Sequence, residues 1–406
     1  MKHKTNPVQI RPIDFVPALS GLIGKTALVT SFAVVWAKQL NITTPDFVFE
    51  NVRIELLIGS IITLIVALLY KDTAPSGSLA PFIVLVPAMA GFGVHPFPLS
   101  VLIGLFGYLS IRTGLFHKLV SLSGPVTKTG ITLTIGISGV MMSLKNLRDY
   151  FGGITSPLVL MTGLLLLLFL VLLRYKKNWL IIPVSAAIAL LLPPLFGMRL
   201  ELSAVYSLPS LNPSYWWNTM WGIGYGMDYN TLARTVPFAL FAIVLWAVDT
   251  VSIQTMIEAN SKPGDQREDI HLNRSFIVSS IRNLLGGIFG GAQTSALWRS
   301  YLIPLFMIKR PMRASSILMG ALGITAGLLA VPVKILSYPP LIWFVLLFGI
   351  FLPFVLVGVR NALKSDKVLI ILLILCLTLA GVIISPIVTW ICAVLCDKLL
   401  FRKNHK

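Results

Sequence analysis

The stretch Arg282–Ser300 reads RNLLGGIFGGAQTSALWRS. It joins two apolar runs, roughly 275–289 and 295–308, each shorter than the ~20 residues a helix needs to cross a bilayer. Glycines and small polar residues separate them, and each run holds a cation, Arg282 and Arg299. A helix that begins inside a membrane points unpaired N–H groups and a positive dipole end into the protein. Such an end suits an anion or a carbonyl-rich solute. GGIFGG is not a phosphate loop, because the flanking strand and Lys of that motif are missing.

A second interrupted segment, SGSLAP at 76–81, opens another short run at 78–90. The two halves also begin alike, with DFVPALSGL at 14–22 and TVPFALFAI at 235–243. Paired, interrupted short segments in two halves point to a transporter binding site near mid-membrane. The candidate substrate-binding residues at these segments are Ser76, Gly77, Ser78, Thr294, Ser295 and Arg299.

Composition agrees with a membrane setting. The 406 residues are 56% hydrophobic and 12% charged, about half the charge fraction of an ordinary soluble domain. The fold class expected is an all-α polytopic membrane protein of about 14 spans. They are read at roughly 15–36, 54–70, 78–90, 96–112, 129–144, 155–173 and 178–197, then 232–257, 275–289, 295–308, 314–332, 340–359, 368–381 and 385–400. Residues 1–200 form a first repeat and 232–406 a second. Between them lies an outer loop, 201–231, that holds Tyr215, Trp216, Trp217, Trp221 and Tyr225. Aromatic residues favour the membrane–water boundary, so this loop is read as an interfacial lid, with a substrate gate as the sharper alternative.

The net charge of +18 is not a nucleic-acid signal, because no basic face lies on a soluble element. Most Lys and Arg fall in alternate loops, which places both termini in the cytoplasm. Arg53 is read into the outer loop before the second span. His95, His117 and His271, and the acidic cluster Asp265, Glu268 and Asp269, are read as solvated loop residues without metal-ligand spacing. Cys376, Cys392 and Cys396 are read as small packing residues. No cofactor motif and no nucleophile–base constellation is found, so no enzyme is expected.

Four ionisable residues fall inside apolar runs: Lys25, Asp249, Arg282 and Arg299. Each costs about 2.5–3.5 kcal/mol at a helix centre if unpaired. One reading pairs Lys25 or Arg282 with Asp249 to hold helices together, with Arg282 close to the cytoplasmic surface. The functional reading gives Lys25 and Arg299 to an anionic substrate and Asp249 to the coupling ion. Three cations against one acid favour an anion.

The segment 282–300 resembles the superfamily that unites nucleobase–ascorbate permeases with sulfate permeases and their anion-exchanger relatives. Its short ninth span ends in N-x-x-x-x-[IL]-F-G-G, matched by Asn283, Phe289, Gly290 and Gly291. In the eighth span, Asp249–Gln254 resembles the E-A-V-S-I-G of sulfate permeases. Arg299 stands where nucleobase permeases carry a base-binding Glu, and the usual Pro of the turn is replaced by Gln293. The chain as a whole looks most like a bacterial membrane family within this superfamily. The resemblance implies an inverted seven-plus-seven fold with core and gate domains, two half-helices and an elevator movement, usually in a homodimer in the inner (plasma) membrane. The function it implies is secondary transport of a small anion, coupled to H+ or Na+ or by exchange. The alternatives are a nucleobase-like permease and a passive channel or non-transporting membrane protein.

Overall fold

The computed structural model describes residues 9–198, 200, 208–260, 270–365 and 367–401. The first half runs α1 (Phe15–Gln39), α2 (Phe47–Leu69), β1 (Ser76–Ser78), α3 (Ala80–Ile83), α4 (Val86–Gly91), α5 (Pro96–Arg112), α6 (Leu115–Leu122), α7 (Pro125–Tyr150), α8 (Ser156–Arg174) and α9 (Ile181–Leu191). The second runs α10 (Tyr229–Asn260), α11 (Leu272–Ile288), β2 (Ser295–Leu297), α12 (Arg299–Ile308), α13 (Met312–Leu328), α14 (Ala330–Leu336), α15 (Pro339–Leu346), a π-helical turn Leu347–Phe351, α16 (Leu352–Ala362), α17 (Val368–Ile383) and α18 (Pro386–Phe401).

Helix starts follow the prolines. Pro96, Pro125, Pro339 and Pro386 each open a helix, where the missing N–H costs nothing and the fixed φ suits the first turn. The exterior is apolar. Leu160, Leu167 and Leu170 of α8 and Leu369, Leu372 and Leu379 of α17 are exposed, whereas Ser, Thr and Gly residues are buried between helices. That inversion is what a lipid solvent selects, because small residues let helix backbones approach closely. Among the described residues, six helical stretches are long and apolar enough to cross a bilayer, or up to eight if two bent pairs count as one span each. The bent pairs are α5–α6, at 92°, and α13–α14, at 102°. The protein is a multi-pass membrane protein.

At the centre the all-helical expectation is modified. β1 and β2 pair antiparallel, with Ser76 opposite Leu297, Gly77 opposite Ala296 and Ser78 opposite Ser295. The Leu79 N–H extends the ladder by donating to the Thr294 carbonyl at 2.7 Å. Gly77 is required by the crossing, since a Cβ there would stand 2.7 Å from the Trp298 Cα. The run read as one span at 78–90 is thus a strand and two short helices, each with Pro in its first turn.

Two acids join distant parts of the chain. Asp14 pairs with Arg310 at 2.7 Å and accepts from the Arg11 N–H at 2.8 Å. Asp397, on α18, accepts from the N–H groups of Val126 and Thr127 at 3.0 and 2.8 Å. The residue before α7 is Gly124, which has no side chain to cap with, so the cap comes from another helix. Asp397→Ala is expected to cost about 1–2 kcal/mol, the range of a lost N-cap. The check is a lower thermal unfolding midpoint in detergent, with a smaller drop for Asp397→Asn.

Candidate functional site

β2 is held in place by side chains that act as backbone substitutes. Asn283 accepts from the Ser295 N–H at 2.8 Å and donates back to the Ser295 carbonyl at 3.3 Å. The Trp246 indole N–H donates to the same carbonyl at 2.9 Å. One turn earlier, Asn51 donates to the Gly290 carbonyl at 2.6 Å and accepts from the Ala292 N–H. Gly290 has φ +73°, and a Cβ there would strike the Trp216 side chain at 2.6 Å.

The tryptophans of the long connection clamp this turn from outside. Trp217 donates to the Gly287 carbonyl at 2.9 Å and Trp221 to the Gly290 carbonyl at 2.7 Å. Trp216, Trp217 and Trp221 are buried, which corrects the reading of an interfacial lid. His95 belongs to the same aromatic layer, 5.4 Å from the Trp217 ring. Its Nδ1 accepts from the Phe97 N–H, capping α5, and its Nε2 is buried. It is therefore not the solvated loop residue expected, and burial brings its pKa down to about 4.

Two charged centres lie inside the bundle. At the first, Arg299 opens α12 and forms an ion pair with Asp249 of α10. The guanidinium stands 4.9 Å from the Phe354 ring of α16. Arg299 and Asp249 line a cavity with Pro81 from α3, Ile131, Thr132 and Ile135 from α7, and Phe354. The cavity offers a water about 20 Å3, room for about one molecule. Arg299 is 25% exposed and has donors to spare in its planar fork. The positive end of α12 adds to its charge.

At the second centre, Arg282 of α11 pairs with Glu55 of α2, both about 1% exposed. Arg282 also donates to the Glu55 backbone carbonyl at 2.9 Å. Gln293 donates to the Glu55 carboxylate at 2.9 Å and accepts from the Ser78 hydroxyl, which ties the pair to the strand crossing. Lys25 lies here too, buried, with Nζ 4.3 Å from the Trp298 ring centroid.

Several expectations are corrected. Asp249 pairs with Arg299, not with Lys25 or Arg282. Arg282 is deep in the bundle rather than near the surface. Arg53 is a buried residue of α2, bound to the Gly327 carbonyl at the end of α13 and to Glu50. Ser76, Ser78, Thr294 and Ser295 are all buried at the crossing, and the hydroxyls of Ser76, Thr294 and Ser295 have no hydrogen-bond partner among the described residues. Of the candidate residues, only Asp249 and Arg299 line the cavity. His271 caps α11 and accepts from the Arg274 N–H. Asp265, Glu268 and Asp269 lie outside the described residues.

The family model described as "Protein of unknown function (DUF3360)" matches residues 7–403. The chain belongs to that family. No curated protein matches it. Among solved structures it is similar to the transmembrane domain of a cyanobacterial bicarbonate transporter, BicA, at 15% identity and a TM-score of 0.61, covering 95% of this chain and 99% of that one. It is also similar to the murine Slc26a9 anion transporter, at 12% identity and a TM-score of 0.56, covering 99% of this chain and 70% of that one. Another SLC26A9 structure gives 14% identity, a TM-score of 0.56 and coverage of 96% and 64%. At these identities the likeness is one of fold.

Two outcomes follow from the buried groups. Glu55→Leu leaves Arg282 and Lys25 facing each other in a buried place with no acid between them and is expected to destabilise by about 3–5 kcal/mol, while Arg282→Met, which leaves Lys25 to balance Glu55, should cost less; the two thermal unfolding midpoints in detergent check this. The lowered pKa of His95 means that the unfolded chain binds the extra proton. Stability is then full above about pH 6.5 and falls as pH drops towards about 4. His95→Asn keeps a capping acceptor and should flatten that part of a stability-versus-pH curve.

Proposed function

We propose that this protein is a secondary transporter of a small anion, inorganic or carboxylate, and that Arg299 binds the anion's negative group. The observation that carries the reading is the guanidinium at the head of α12, beside a cavity bounded by α3, α10 and α12 on one side and by α7 and α16 on the other. The likeness to proteins named as bicarbonate and anion transporters supports it. Asp249 orients Arg299 and offsets its charge. The hydroxyls of Ser76, Ser78, Thr294 and Ser295, with the backbone at Gly77, are the neutral groups that complete the site once the cavity widens. Lys25 adds positive charge from behind Trp298.

Alternating access follows an elevator scheme in which α7 and α16 belong to the gate and the two strands move with the core. The antiparallel pairing of β1 with β2, and the matched bends at α5–α6 and α13–α14, support fourteen spans in an inverted seven-plus-seven repeat. The protein works as a homodimer in the inner (plasma) membrane with both termini in the cytoplasm, which the Lys and Arg bias supports. Transport is coupled to H+ or Na+, or proceeds by exchange. A neutral nucleobase is disfavoured, because Arg299 supplies only donors and the acceptor beside it, the Asp249 carboxylate, is engaged by Arg299.

The test is equilibrium binding on purified protein across chloride, nitrate, sulfate, formate and uracil. At least one anion should bind, uracil should not, and Arg299→Ala should lose roughly 30-fold or more in affinity. Arg299→Lys should lose less, since charge is kept but the bidentate fork is not. An Arg299→Ala variant that binds its anion as wild type does would remove Arg299 from the site.

A further inference from the structure

We propose that Lys25, Glu55 and Arg282 form a proton site, which takes up one proton on Lys25 when an anion occupies the cavity at Arg299. This rests on the anion-transport reading and names the coupling ion for it.

The cluster holds two cations and one acid in a fully buried place. Gly59 is where the cations meet. A Cβ at Gly59 would stand 2.1 Å from Lys25 Nζ and 2.9 Å from Arg282 Nε, which puts the two nitrogens within about 5 Å of each other, where like charges repel strongly. Glu55 is committed to Arg282 and Gln293 through Oε2. Lys25 Nζ, Arg282 Nε and Glu55 Oε1 have no hydrogen-bond partner among the described residues. One positive charge is therefore in excess, and an uncompensated buried charge costs several kcal/mol. The proton that can leave without breaking a hydrogen bond is the one on Lys25.

The other charged groups on elements packed against α1 are already engaged. Arg53 binds Glu50 and the Gly327 carbonyl, and Arg299 binds Asp249. Arg313 binds the Ala67 and Leu68 carbonyls, and Lys334 lies over the Phe49 ring. The Tyr301 hydroxyl bonds to Ser315, Ser316 and the Met312 carbonyl. Lys25 thus answers to Glu55 and Arg282, and its ammonium rests on the Trp298 ring.

Trp298 carries the link. Its ring lies under the Lys25 ammonium, and the next residue is Arg299. An anion at Arg299 offsets the excess charge behind the ring. By reciprocity, a proton on Lys25 raises anion affinity by the same factor that the anion raises proton affinity. The step balances simply: a proton from water joins the Lys25 amine, one per anion, and no other bond changes. A Na+ site is disfavoured, since the Asp249 and Glu55 carboxylates are each paired with an arginine.

The experiment measures proton uptake with a pH-indicator dye while purified full-length protein, in weak buffer near pH 8, is titrated with chloride, nitrate or sulfate. Wild type should take up about one proton per bound anion, and its affinity should fall about tenfold per pH unit on the alkaline side. Lys25→Met and Lys25→Gln should still bind the anion, more weakly, with no proton uptake and no pH dependence. Arg299→Ala should show neither binding nor uptake. A monodisperse Lys25→Met or Lys25→Gln variant that still takes up a proton per anion overturns the proposal, as does wild-type affinity that is flat from pH 6 to 9. A wild type that takes up no proton overturns the proposal even if both Lys25 variants fail to fold, and Asp249→Asn, expected to keep its proton uptake, separates Lys25 from the acid in the cavity. Binding by Arg299→Ala that keeps its proton uptake sinks the Arg299 assignment and leaves the proton site standing. Wild type that binds none of these three anions, nor formate in the same titration, overturns the anion reading and the proton site with it.

Discussion

Extended backbone inside a membrane protein must have its N–H and C=O groups satisfied from within, and this constraint governs the centre of the molecule. β1 and β2 satisfy each other over three residues. The remaining edge of β2 and the turn before it are satisfied by Asn283, Asn51, Trp246, Trp217 and Trp221. Those five side chains come from four places in the sequence, so α2, α10, α11 and the long connection are all fixed against one short stretch. Arg299 inherits its position from that arrangement, because β2 leads straight into α12. Without the asparagine and tryptophan partners, the strand would carry several unsatisfied groups in an apolar interior, each costing several kcal/mol.

The charges follow a related logic. Two arginines and two acids are arranged as two separate ion pairs, one facing a cavity and one sealed. The sealed pair is bound through Gln293 and Ser78 to the strand crossing, so the crossing, the pair and Lys25 form one polar body inside the bundle. The open pair keeps part of its guanidinium for something else. A buried pair contributes little net stability, since desolvation offsets attraction. Its value lies in geometry, and at Arg299 that geometry presents a cation to a small space.

Much of this was legible in the sequence. Asp249, Arg282 and Arg299 stand out as charges in apolar runs, and Asn283 with Phe289–Gly291 marks the turn. The paired small-residue segments at 76–78 and 294–295 locate the crossing. What escaped the reading was the start of α2. Glu50, Arg53 and Glu55 look like the polar flank of a span beginning near 54, yet α2 begins at Phe47 and buries Arg53 and Glu55. Their partners, Arg282 and the carbonyl of Gly327, are more than two hundred residues away, so no local pattern announces them. The tryptophans misled for a similar reason. Interfacial aromatics and aromatics that clamp a buried turn have the same composition, and only the carbonyls they reach tell them apart.

The most direct test of the account is flux. Protein reconstituted into liposomes would be given a panel of small anions and, in parallel, uracil, with uptake compared to protein-free liposomes and to Arg299→Ala. The account predicts that at least one small anion enters well above the protein-free level, that uracil does not, and that Arg299→Ala abolishes the anion signal. Uptake of uracil without any anion, or anion uptake undiminished in Arg299→Ala, would contradict it.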